Sequence, residues 1–181
     1  MIKYAAFEGA RRIASGELAF VTIEVKRALA RGQRGPVLIF EDGTGRQVDL
    51  DLREPPPAPL PEPTPDGPRR AGRPKLGVVA KEVTLLPRHW DWLGLQPGGA
   101  SVTLRRLVDE ARNVSAEKDR VRQAQEAAYR FMSAMAGNEP GFEEAIRALF
   151  AGKRLRFNEL VSDWPIDVRD YSRQLAEAAL N

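Results

Sequence analysis

Apolar positions in the first fifty residues change period along the chain. Residues 3–7 and 12–14 flank a turn at Glu8-Gly9 and read as two short strands. Leu18, Val21, Val25 and Leu29 recur at three- and four-residue steps, which places them on one face of a helix that Gly32 ends. Residues 37–40 and 47–52 predict a second hairpin across Asp42-Gly43-Thr44-Gly45, with Val48, Leu50 and Leu52 alternating against Asp49 and Asp51. The pattern is that of a small hairpin–helix–hairpin module over 1–53 with one covered sheet face. Asp49 and Asp51 share a strand face, but nothing nearby supplies a third ligand, so they read as its wet side. Gly43 and Gly45 lack the Lys-Ser/Thr and the following helix of a phosphate loop.

Eight of the fourteen prolines lie between Pro55 and Pro68. Repeated Pro fixes φ and removes N–H donors, so 54–68 reads as an extended spacer; a docking site for a polyproline-binding domain is the other reading. Beyond it, 77–86 is rich in β-branched residues and predicts a short strand. Pro87 suits the first turn of a helix over 88–95, Pro97-Gly98-Gly99 breaks that helix, and Ser101 is a good N-cap for the next. Trp90 and Trp92 read as core aromatics. His89, without a partner for catalysis, reads as a hydrogen-bonded structural residue.

No Gly or Pro interrupts 101–136. Leu104, Leu107, Ala111, Val114, Lys118, Val121, Gln125, Ala128, Met132 and Met135 form a heptad-like seam with two polar positions. Two readings stay open: a seam between two chains, with the polar positions setting register, or one helix packing on its own chain. Three shorter helices are expected over 137–181. Phe150, Phe157, Trp164 and Tyr171 recur every seven residues there and read as core of a small bundle.

Composition narrows the chemistry. The 181 residues include 28 Lys+Arg, 25 Asp+Glu, one His and no Cys. Without Cys there are no disulfides, thiol nucleophiles or Cys-ligated metals, and one His excludes any site needing two imidazoles. No cofactor is implied and no catalytic cluster stands out, so an enzyme is not expected. No apolar run is long enough for a membrane span and no signal peptide is visible, so a cytoplasmic protein is expected. Charge is uneven along the chain. Residues 1–68 carry nine basic and ten acidic side chains, 69–122 twelve and six, and 123–181 seven and nine. Arg69, Arg70, Arg73, Lys75 and Lys81 occur with no acid among them. A field of one sign attracts polyanions.

Strand, Pro, short helix, Gly turn and Ser-capped helix over 69–112 resemble the ribbon-helix-helix family of bacterial DNA-binding proteins. The resemblance implies that two chains pair their strands into an antiparallel ribbon that enters the major groove. Lys81, Glu82 and Thr84 would then lie on the ribbon, and Arg88 and Ser101 would hold phosphates. The polar and apolar residues of 81–86 do not alternate cleanly, and Glu82 suits DNA only where it reads a cytosine amine. Arg69-Arg70-Ala71-Gly72-Arg73-Pro74-Lys75 is similar to an AT-hook, an arm for a narrow A·T-rich minor groove, with Ala71 where a basic residue is usual. GRPKLGVVAKEVTLLPRHWDWL, QPGGASVTLRRLVDEAR, AQEAAYRFMSAMAGNEPGFEEAIRALFAG and RFNELVSDWPIDVRDYS resemble, end to end, a bacterial family called domain of unknown function 2239. That resemblance implies nothing about activity.

The expected protein is therefore α+β. It has a small module over 1–53, a Pro-rich linker over 54–68, a basic arm with a ribbon-helix-helix-like segment and long helix over 69–136, and C-terminal helices over 137–181. Its expected role is a dimeric DNA-binding protein, plausible as a transcriptional regulator, pairing through strand 78–86 and helix 101–136 and binding double-stranded DNA. The competing role is a protein-interaction module without nucleic acid.

Overall fold

A short Gly9 turn, at φ 55°, lets the first two apolar runs fold back as β1 (Tyr4–Glu8) and β2 (Arg11–Gly16). They pair antiparallel, with a bulge that leaves Ile13 opposite no single partner. The structure, a computed structural model, describes residues 2–32, 35–50, 79 and 81–181. Helix α1 (Leu18–Ala30) carries the chain over the sheet, and β3 (Val37–Glu41) then pairs antiparallel with β1, giving the order β2-β1-β3. Five more helices follow: α2 (Pro87–Gly94), α3 (Gly99–Met135), α4 (Phe142–Phe150), α5 (Arg154–Leu160) and α6 (Ile166–Leu180). The described chain is thus α+β and mostly helical, with one three-stranded antiparallel sheet.

Three expectations for the N-terminal region are corrected. The strand expected over 47–52 is reduced, among the described residues, to a single bridge between Phe40 and Gln47; Asp51 and Leu52 lie outside them. The chain does turn back after β3, with the Glu41 N–H donating to the Arg46 carbonyl at 3.0 Å and the Val48 N–H to the Ile39 carbonyl at 2.8 Å, but the full ladder of β3 is made with β1. Leu29 is exposed, and α1 turns Val21, Thr22, Val25 and Ala28 inward. Above all, both faces of the sheet are covered. Ala6, Ala14 and Ile39 pack with Val21 and Val25 of α1. Ala5, Phe7 and Phe40, on the opposite face, join Phe131 of α3 and Tyr171 of α6 in a second, larger core.

The described residues gather into two units, 2–32, 35–50 and 117–181 in one and 79 and 81–116 in the other, so α3 contributes to both. The larger core centres on aromatic rings: Phe131 lies 4.7 Å from Tyr171, 4.9 Å from Phe40 and 5.2 Å from Phe7, centroid to centroid. Tilted and edge-on pairs of this kind add about 1 kcal/mol each beyond their burial. Phe157, Trp164 and Tyr171 are buried as expected, and the Trp164 indole donates to the Pro140 carbonyl at 3.0 Å. Phe150 is the exception; it is exposed and stacks edge-on with Tyr129.

The seam along α3 divides. Ala128 and Met132 are buried in the first unit's core, and Val121 and Met135 pack against it. Gln125 sits in the same stretch because its amide donates to the Leu149 and Phe150 carbonyls, each at 3.3 Å. It closes the open C-terminal end of α4, a role within one chain. Towards the other end Leu107 and Val108 are exposed, and Val114 is 83% exposed.

Candidate nucleic-acid interface

The described part of the second unit leads into α2 without regular secondary structure. Val79 and 81–86, the described residues of the strand expected over 78–86, belong to no strand. A strand needs a neighbour to take its ladder hydrogen bonds, and none pairs with these residues among those described. Lys81, Glu82 and Thr84 are exposed, but so are Val79, Val83 and Leu86, and no buried face develops.

Pro87 opens α2 as expected, and Arg88, the helix's second residue, is exposed. The expectation that the aromatics beside it fill a core is corrected. Trp90 and Trp92 are 43% and 47% exposed, and His89 is exposed with no side-chain hydrogen bond among the described residues. Only Leu93 of α2 is turned fully inward. It floors an open, almost wholly apolar groove of about 260 Å³, lined with Leu85, His89, Trp92, Leu104 and Leu107. Only Leu93 and Thr103 are buried among the described residues of this unit. Sequence reasoning named the apolar positions but missed the groove, because the i, i+3 spacing of Leu104 and Leu107 looks the same whether or not another element covers it.

Ser101 is not the N-cap expected. Gly98 and Gly99, at φ 84° and 74°, bring the chain into α3 two residues earlier, and the Gly99 N–H donates to the Gln96 carbonyl at 3.0 Å. The Ser101 hydroxyl instead accepts from Arg105 at 2.9 Å. Ser101 still lies in the first turn of α3, where backbone N–H groups have no acceptor within the helix.

The positive surplus of 69–122 is not spread evenly. On α3, Arg106 pairs with Glu110, Arg112 with Asp109, Arg120 with Glu117 and Arg122 with Asp119. The bond from Arg120 holds the Glu117 carboxyl below its usual range. Lys81 and Arg88 before α3, and Arg105 and Lys118 on it, are in no ion pair among the described residues, and Glu82 and Asp91 balance the first two in number. Arg69, Arg70, Arg73 and Lys75 lie outside the described residues, as does the Pro-rich stretch over 54–68.

Among the described residues no group of three or more His, Asp or Glu side chains is placed to hold a metal ion. None of the described helices is long and apolar enough to cross a membrane. The first unit does hold a buried titratable group. The Tyr171 hydroxyl donates to Asp42 at 2.6 Å, and burial first, then that bond, pushes its pKa well above the ordinary tyrosine value. It ties α6 to the turn after β3.

The described chain is thus a mostly helical α+β protein whose second unit, in its described residues, holds an open apolar groove. The chain belongs to a family described as uncharacterized protein conserved in bacteria, domain of unknown function 2239, whose pattern it matches over residues 3–176. No curated protein matches it, and no solved structure does.

Proposed function

We propose that the protein is a dimeric DNA-binding protein that acts as a transcriptional regulator in the bacterial cytoplasm, without catalytic activity or cofactor. One observation carries the reading: the described residues of the second unit bury almost nothing among themselves. Trp92 and Leu107 are exposed on the wall of an apolar groove, and Val83, Leu86 and Trp90 of the same unit are exposed too. Exposed large apolar side chains around an apolar groove are the kind of surface that marks an association site. A second copy supplies what each lacks, since antiparallel pairing of two 78–86 segments satisfies both backbones and covers both grooves.

The charge supports DNA as the ligand of such a dimer. Arg69, Arg70, Arg73 and Lys75 form an arm for the minor groove. Lys81, Glu82 and Thr84 lie on the paired strands, and Arg88 and Ser101 contact phosphates at the helix starts. Light scattering on the eluting protein, with a gel shift on random duplex at low salt, tests the reading. The expected result is a dimer that shifts duplex. A monomer that leaves duplex unshifted replaces it with a protein-interaction module, whose groove takes an apolar side chain of another protein.

A further inference from the structure

We infer that the turn between α4 and α5, in the first unit, is a second contact site for nucleic-acid phosphates. The inference rests on the duplex-binding reading but on different residues. Between positions 145 and 158 the chain carries Arg147, Lys153, Arg154 and Arg156 and no acidic side chain. Gly152, at φ 65°, turns the chain back between the two helices. That turn brings Arg147, Lys153 and Arg156 to the wall of one cleft of about 340 Å³, with Glu144 as its one carboxylate. On the other side of α5, Arg154 and Arg173 line a cleft of about 320 Å³ that also holds Asp170 and Glu177.

The existing partners of these cations are weak competitors. Arg147 bonds Glu144 at 2.6 Å and Arg156 bonds Glu159 at 3.1 Å, but both pairs are solvent-exposed, and such pairs contribute about 0–1 kcal/mol. Lys153 has no ion pair among the described residues, and in the other cleft Arg154 donates to the Asn181 side chain at 3.1 Å and Arg173 to the Asn158 carbonyl at 2.9 Å. Convergent cations, two of them guanidinium groups that can fork onto two oxygens, suit the tetrahedral phosphate better than a flat surface does.

The test uses the full chain and a fluorescent random duplex, titrated by anisotropy over a range of salt. Lys153→Gln, Arg154→Gln and Arg156→Gln are combined in one variant, and Lys153→Glu is made alone. All three side chains are exposed, so circular dichroism and Tm should stay at wild-type values. A third variant replaces Arg69, Arg70, Arg73 and Lys75 with Gln. The triple variant should bind duplex at least tenfold more weakly at low salt. Its slope of log K against log salt should be shallower by about one for each phosphate that it no longer neutralises. Lys153→Glu should show the same trend, smaller.

Wild-type affinity and slope in the triple variant overturn this inference and leave the duplex reading standing. A weakened triple variant beside an unaffected arm variant keeps this inference and overturns the arm's role. Failure of the wild type to bind duplex at low salt overturns both. Weakened binding to vesicles of anionic phospholipid, with duplex binding intact, overturns the nucleic-acid assignment in favour of a lipid surface.

Discussion

Gly45 shows how closely the first unit is fitted. It sits at φ 62°, and a Cβ there would collide with the Ala127 carbonyl of α3. Arg130 fixes the same turn by donating to the Thr44 carbonyl at 2.9 Å. Gly45→Ala combines a left-handed backbone with overpacking and should destabilise the protein by about 3 kcal/mol or more. Thermal unfolding reads this as a Tm lower by roughly 10 °C. Tyr171→Phe should remove about 1.5 kcal/mol by leaving the Asp42 carboxylate without its donor.

Tyr171 also sets an alkaline limit on stability. Its pKa is higher in the folded chain than in the unfolded one. Its contribution is therefore complete below the unfolded value, near pH 10, and is lost as pH rises beyond it. Urea unfolding at rising pH should show stability falling above about pH 10, and Tyr171→Phe should flatten that fall. The sequence shows Gly45 in a turn and Tyr171 on a helix face. Neither Ala127 nor Asp42 is close to its partner in sequence, so neither constraint could be read there.

Among the elements, the α3 seam is the most instructive. Its polar position Gln125 looks like a register-setting residue of a coiled coil, yet it closes α4 within the same chain. Gln125→Ala should lower stability by about 1 kcal/mol in denaturant unfolding and leave the oligomeric state unchanged. The first part of α3 and residues 81–86 behave differently, because their apolar residues are exposed. Val83→Asp with Leu86→Asp places charge where a second strand is proposed to pair. Light scattering should then give a monomer, with secondary structure retained, where the wild type gives a dimer. The short basic stretch 147–156 was hidden in the sequence for a different reason. It lies in a block with nine acids against seven bases, so its local surplus cancels over the longer span.

For the whole molecule, DNA binding by a surface of this kind depends on salt. The affinity of the wild type should fall linearly in log–log terms, with a slope of about −0.9 for each phosphate neutralised. Arg73→Ala should weaken binding to A·T-rich duplex more than to G·C-rich duplex, because only the narrow A·T minor groove concentrates negative potential around an inserted guanidinium. Equal weakening on both duplexes, measured by anisotropy at one salt concentration, would remove the minor-groove arm from the account.

What the chain determined by itself is local. Hydrophobic spacing placed β1, α1, α2, α3 and the C-terminal helices, and Pro and Gly marked where they stop, because those signals act within a few residues. The folded structure decided which apolar faces found a partner. Ala5, Phe7 and Phe40 met Phe131 and Tyr171 from more than eighty residues away, so the sheet became covered on both faces. The apolar residues of 81–114 found almost nothing among the described residues of one chain. Periodicity reports that a side chain avoids water, but the neighbour that shields it is chosen by long-range packing.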